Sequence, residues 1–166
     1  MRIGFRTPLG FFDTVRRDLV RRHPFAAERV GFVLAGATLA GQDIVLLARS
    51  YEPVDDGDYL PDPRVGAMLG PDAIRKAMQA ALRTGSGLFH IHMHDHAGPP
   101  FFSKVDRRES RRFVPSFFNA NPKVPHGVLL LSADASRGQV WLSPRAEPQE
   151  FAMISWPGRP QRGLLV

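Results

Sequence analysis

Between Phe11 and Arg22, apolar residues fall at Phe12, Val15, Leu19 and Val20 among charged neighbours. That spacing predicts an amphipathic helix. Asp13 lies near its start and Arg21 and Arg22 near its end, the order a helix dipole favours. His23-Pro24 ends it, because a residue before proline avoids the helical region. Arg29 to Ala40 and Ile44 to Tyr51 are apolar and β-rich instead, joined by Gly41-Gln42-Asp43, and predict a buried hairpin. Glu52 to Pro71 sets prolines and glycines around Asp55, Asp56 and Asp58. It predicts a long surface loop, and such loops are usually functional.

Helical spacing returns over Pro71 to Leu82, with Pro71 in the first turn and Gly85-Ser86-Gly87 beyond the end. Leu88 to His94 predicts a strand, and Ser103 to Phe113 a helix halted by Pro115. Gly127 to Ser132 predicts a buried strand, with Gln139 to Leu142 and Phe151 to Trp156 completing the sheet. The order α-β-β-α-β-α-β-β-β predicts an α/β fold with one mixed central sheet flanked by helices. No repeat or low-complexity linker interrupts it, so a single domain over residues 1–166 is expected.

Composition narrows the chemistry. A chain of 166 residues can bury one real core. It contains no cysteine, which excludes thiol nucleophiles, disulfides and thiolate zinc sites. Any metal must therefore rest on His, Asp or Glu. The lack of cysteine also fits a reducing cytoplasm. No apolar run matches a membrane span, and the N-terminus lacks the apolar block of a secretory signal. A cytoplasmic protein is the expectation. The formal charge of +6 comes from arginines spread over several segments, without a Lys-rich tract or an aromatic RNA-binding signature. This favours an acidic protein partner over nucleic acid.

The candidate chemistry is concentrated in Gly-Leu-Phe-His-Ile-His-Met-His-Asp-His, which places four of the six histidines at 90, 92, 94 and 96. In a strand these alternate positions share one face, and Ile91 and Met93 share the other. Ser103-Lys-Val-Asp106 follows a Gly-Pro-Pro turn. By itself it is a helix-start signature, yet its first turn can carry Asp106 back to the imidazole face. Two histidines and a carboxylate with an open fourth position form the ligand set of a catalytic zinc, so a metal-dependent hydrolase is expected. Such an enzyme needs a non-ligand general base. Glu28, immediately before the hairpin, is the candidate.

Glu28, then His-x-His, then Ser-x-x-Asp resembles the signature of the JAMM (MPN+) zinc metalloproteases, which remove ubiquitin or related modifiers. Prokaryotic members of that family lie beside ubiquitin-like conjugation genes. The resemblance extends over roughly residues 24–145 in the order of elements. It implies a single JAB/MPN domain of cytidine-deaminase-like architecture, with zinc as the cofactor. It also implies zinc ligands His92, His94 and Asp106, Glu28 as catalytic base and Ser103 as oxyanion stabiliser. The substrate would be a ubiquitin-like or sulfur-carrier-like protein, with activating or conjugating enzymes as further partners. The family's spacing falls between two registers here: eight residues separate His94 from Ser103, and six separate His96 from it. Strand alternation favours His92 and His94, with His96 as the alternate ligand. Two other readings remain: a catalytically silent scaffold of the same family, and a nucleic-acid protein using Arg107, Arg108, Arg111 and Arg112.

Overall fold

The computed structural model describes residues 1–22, 26–62, 66–156 and 159–160. Its strands are β1 (Ile3–Arg6), β2 (Val30–Ala40), β3 (Asp43–Pro53), β4 (Gly87–Met93), β5 (His126–Leu131), β6 (Ser136–Trp141), β7 (Gln149–Glu150), β8 (Met153–Trp156) and β9 (Arg159–Pro160). The helices are α1 (Phe11–Leu19), α2 (Pro71–Thr84) and α3 (Lys104–Phe117), with a 3-10 turn over Asp56–Asp58. The described strands form one mixed sheet in the order β7-β6-β5-β4-β2-β3-β1-β8-β9. The expectation of a mixed α/β fold therefore holds. Among the described residues, no helix is long and apolar enough to cross a membrane.

The sheet buries both faces. On one, α2 and α3 cover Phe32, Leu34, Leu88, Val128 and Leu130 with Ala73, Ala77, Val114 and Phe117. On the other, α1 sets Phe12, Val15 and Leu19 against Val33, Phe89, Ile91 and Leu129. Strand β4 is central, antiparallel to β2 and parallel to β5. Its odd positions, Phe89 and Ile91, enter the α1 core, and Met93 packs at the margin of that core. The period-two reading of this strand is thus reproduced.

Several local expectations are corrected. Strand β1 has no counterpart in the predicted order, because four residues carry too short an alternation to stand out. Its pairing is wholly long-range, parallel to both β3 and β8. Helix α1 stops at Leu19 rather than Arg22. The carbonyls of Arg21 and Arg22 instead accept from the buried Arg29 guanidinium, at 2.8 and 2.9 Å. The predicted stop at His23-Pro24 lies outside the described residues. Pro115 does not halt α3, which runs on to Phe117. An interior proline costs about 3 kcal/mol, but Val114 and Phe117 are fully buried and each contributes ~1.5–3 kcal/mol. Burial outweighs the missing hydrogen bond. The segment before α2 is also less open than a surface loop: Val54 and Tyr59 are buried, and Tyr59 bridges to Leu69.

His126 ties β5 to β4 from within the core. Its Nδ1 accepts the Leu88 N–H at 3.0 Å, so the proton sits on Nε2, which donates to the Asn121 carbonyl at 2.8 Å. Burial pushes its pKa below the ordinary histidine value, and those two bonds only partly oppose the shift. A histidine with a depressed folded-state pKa stays neutral in the native chain while the unfolded chain takes up the proton. Its contribution is complete above about pH 6.5 and is lost as pH falls below that value. We expect His126→Ala to destabilise the fold by on the order of 3 kcal/mol at pH 8. The deficit should narrow below pH 6, and denaturant titrations at both pH values check it.

Candidate metal centre

The site is assembled from the end of β4 and the start of α3. His94 follows the last residue of β4 but is still held in register, its N–H donating to the Leu131 carbonyl at 2.9 Å. Beyond it the chain turns, with the His96 N–H bonded to the His94 carbonyl. Gly98 takes a left-handed φ of 85°. The turn is tied to the β5–β6 connection: Gly98 N–H donates to Asp134 at 2.6 Å, and the Ser132 hydroxyl donates to the Gly98 carbonyl at 2.7 Å. Phe102 is buried against the sheet. It thereby anchors the start of α3 beside the imidazoles.

Ser103 caps α3 reciprocally with Asp106. The Asp106 N–H donates to Ser103 Oγ at 3.0 Å, and the Ser103 N–H donates to Asp106 Oδ2 at 2.7 Å. The cap fixes the carboxylate's direction. Asp106 Oδ1 stands 3.3 Å from His92 Nε2, and Oδ2 stands 3.5 Å from His94 Nε2. One ligand atom each from His92, His94 and Asp106 lies within 4.8 Å of the others, a grouping able to hold a metal ion. Helix capping and convergence on the histidines coexist in one side chain.

Electrostatics favour the ligand forms of Asp106 and His94. Burial disfavours the Asp106 charge, but His92 and the Ser103 hydrogen bonds outweigh it and hold the carboxyl well below its ordinary pKa. Burial and the neighbouring His92 lower the pKa of His94, against the opposing pull of Asp106 and Glu28. His90 is pushed down to about 3, chiefly by burial and then by His92. Its ring packs against Phe32 and Phe113 at 5.7 and 5.1 Å.

His92 supplies the test of fit. It is 6% exposed, and neither ring nitrogen has a hydrogen-bond partner despite the nearby carboxylate. An unpaired buried polar atom costs about 1–3 kcal/mol. A cation between Nε2 and Asp106 would satisfy the nitrogen that faces the site. The donor set, two imidazoles and one carboxylate, suits zinc.

The other predicted residues take different positions. Glu28 lines the same cavity as His92 and Asp106, and its backbone N–H donates to the Gly66 carbonyl at 2.9 Å. His96 lies outside the converging trio, stacked on Phe101 at 6.1 Å with Nδ1 2.9 Å from the Ala97 carbonyl. Its Nε2 is also buried without a partner. Sequence reasoning missed Gly66, where a Cβ would lie 2.8 Å from Glu28 Oε2. Nothing local marked it. It also gave no role to His90, although the alternating row placed that imidazole beside His92. Arg29, next to Glu28, is buried and pairs with Asp56 at 2.7 Å.

No protein-family model matches the chain, and no curated protein matches it. Among solved structures, the Trichoplax adhaerens STIL N-terminal domain is similar at 10% identity and a TM-score of 0.39. The match covers 80% of this chain but only 39% of that one. An overlap at this level carries no inference about activity.

His92 and His94 converge on Asp106, and His96 lies outside that grouping. We expect His92→Ala and His94→Ala to lose bound zinc, whereas His96→Ala retains it. Metal analysis of the purified variants measures this, and an empty site in His96→Ala with a filled one in His92→Ala would establish the later register.

Proposed function

We propose that this protein is a zinc-dependent peptidase or isopeptidase of the JAMM type, built as a single MPN-like domain. Its substrate would be the amide bond after the C-terminus of a ubiquitin-like or sulfur-carrier-like protein. The observation that carries the reading is the convergence of His92, His94 and Asp106 beside Glu28, with His92 buried and unpartnered. That geometry is what a zinc hydrolase requires: three protein ligands, an open position and a carboxylate outside the ligand set.

His92, His94 and Asp106 would hold the metal. When bound, zinc supplies Lewis acidity, polarising the scissile carbonyl and lowering the pKa of a water to about 7. Glu28 takes the proton from the attacking water and returns it to the departing amine. The Ser103 oxygen is occupied as an acceptor by the Asp106 N–H. Its hydroxyl proton would turn from the Asp106 carboxylate to donate to the developing oxyanion.

The nucleic-acid reading gains little from α3. Arg108 and Arg112 pair with Glu109, and Arg111 pairs with Glu147. Part of the basic stripe is thus neutralised within the chain. A silent scaffold, in turn, gives no account of three converging ligands beside a carboxylate.

Neutralising a non-ligand base leaves the metal's coordination intact. We expect Glu28→Gln to keep one zinc per chain while turnover of a ubiquitin-like C-terminal fusion falls at least about 100-fold. Loss of zinc in this variant would make Glu28 a ligand instead. Gly66→Ala should keep a nearly unchanged melting temperature, because the atom it displaces is the flexible end of Glu28. Its turnover should fall about tenfold or more as that carboxylate shifts.

A further inference from the structure

A cavity of about 300 Å³, partly open to solvent, is lined by two of the three converging residues, His92 and Asp106. Glu28 lines it as well, with His90, Glu109 and Ser110 as further polar neighbours. The remainder is mainly apolar, with Val30, Phe32, Ile74, Phe113, Phe117 and Val128 drawn from the sheet, α2 and α3. A hydrolytic centre by itself needs no such space. We propose that the cavity receives a bulky apolar side chain from the residue flanking the scissile amide. The protein would then select polypeptides carrying a residue of Leu, Met or Phe size at that position.

Selectivity of this kind rests on the zinc-hydrolase reading above and adds the substrate's side chain to it. Position is the first support. A group seated in this cavity lies beside His92 and Asp106, so it must be only a few bonds from whatever those residues act upon. Volume is the second, since about 300 Å³ admits one large side chain and sits at the small end of ligand pockets. The rim is the third. Val105 and Met68 line the cavity yet remain 50% and 36% exposed, and Phe101, beside His94, is 62% exposed. Apolar surface therefore continues outward from the cavity, as an extended chain requires and a compact small molecule does not.

The test titrates the zinc-loaded protein calorimetrically with the N-acetyl hydroxamates of glycine, leucine and phenylalanine. Their shared hydroxamate probes the metal, and only their side chains differ. The leucine and phenylalanine compounds should bind about tenfold or more tightly than the glycine compound. Ile74→Trp, which fills the cavity from α2, should abolish that advantage while leaving glycine hydroxamate binding unchanged. Met68→Trp should do the same from the exposed mouth, without altering the core. Equal affinities across the three compounds would overturn the side-chain pocket and leave the metal centre standing. The pocket is likewise overturned if both tryptophan variants fold and retain the full advantage. Absence of zinc, or of any hydroxamate binding to a zinc-containing protein, would overturn the hydrolytic reading and this inference together.

Discussion

Strand β4 is hydrogen-bonded along both edges, with His90 and His92 in register against Phe32 and Val30 of β2 and against Val128 and Leu130 of β5. A strand held on both sides cannot slip by one residue without turning every side chain to the other face. Such a slip would pull Phe89 and Ile91 out of the α1 core and drive imidazoles into it. The cost of that exchange keeps His92 and His94 facing α3. Packing on the face opposite the candidate centre is what sets that cost.

Asp106 depends on a second constraint of the same kind. Helix α3 begins where its cap is satisfied, and the cap requires both Ser103 Oγ and the Asp106 carboxylate. Because the same carboxylate faces His92 and His94, the register of the helix also sets where Asp106 meets the two imidazoles. Phe102, buried just before the cap, keeps that first turn against the sheet. The polar atoms of the site thus inherit their placement from backbone and core interactions, which are stiffer than side-chain contacts alone.

The segment around Glu28 is positioned by partners distant in the chain. Buried Arg29 gathers two carbonyls from beyond α1 and the Asp56 carboxylate. Tyr59 Oη accepts the Val30 N–H at 2.9 Å, and the Gly66 carbonyl accepts the Glu28 N–H. What the sequence presents as a polar loop is therefore the wall that brings Glu28 to the cavity.

The alternating histidines, the Ser103–Asp106 cap, the long hairpin and helix α2 were legible because each is a local pattern. Strand periodicity, capping chemistry and turn residues act over a few positions, so the sequence alone determined that these elements form and which face of β4 carries imidazole. Other features depend on residues far apart in the chain. Strand β1 exists only through β3 and β8, and helix α3 continues past Pro115 only because Val114 and Phe117 find a core to enter. His126 reads as an isolated histidine until Leu88 and Asn121 close around it. Tertiary structure alone decided that Gly66 makes room for Glu28 and that an apolar cavity adjoins the centre. These outcomes are set by which surfaces meet once the sheet is assembled, and no short stretch of sequence encodes that meeting.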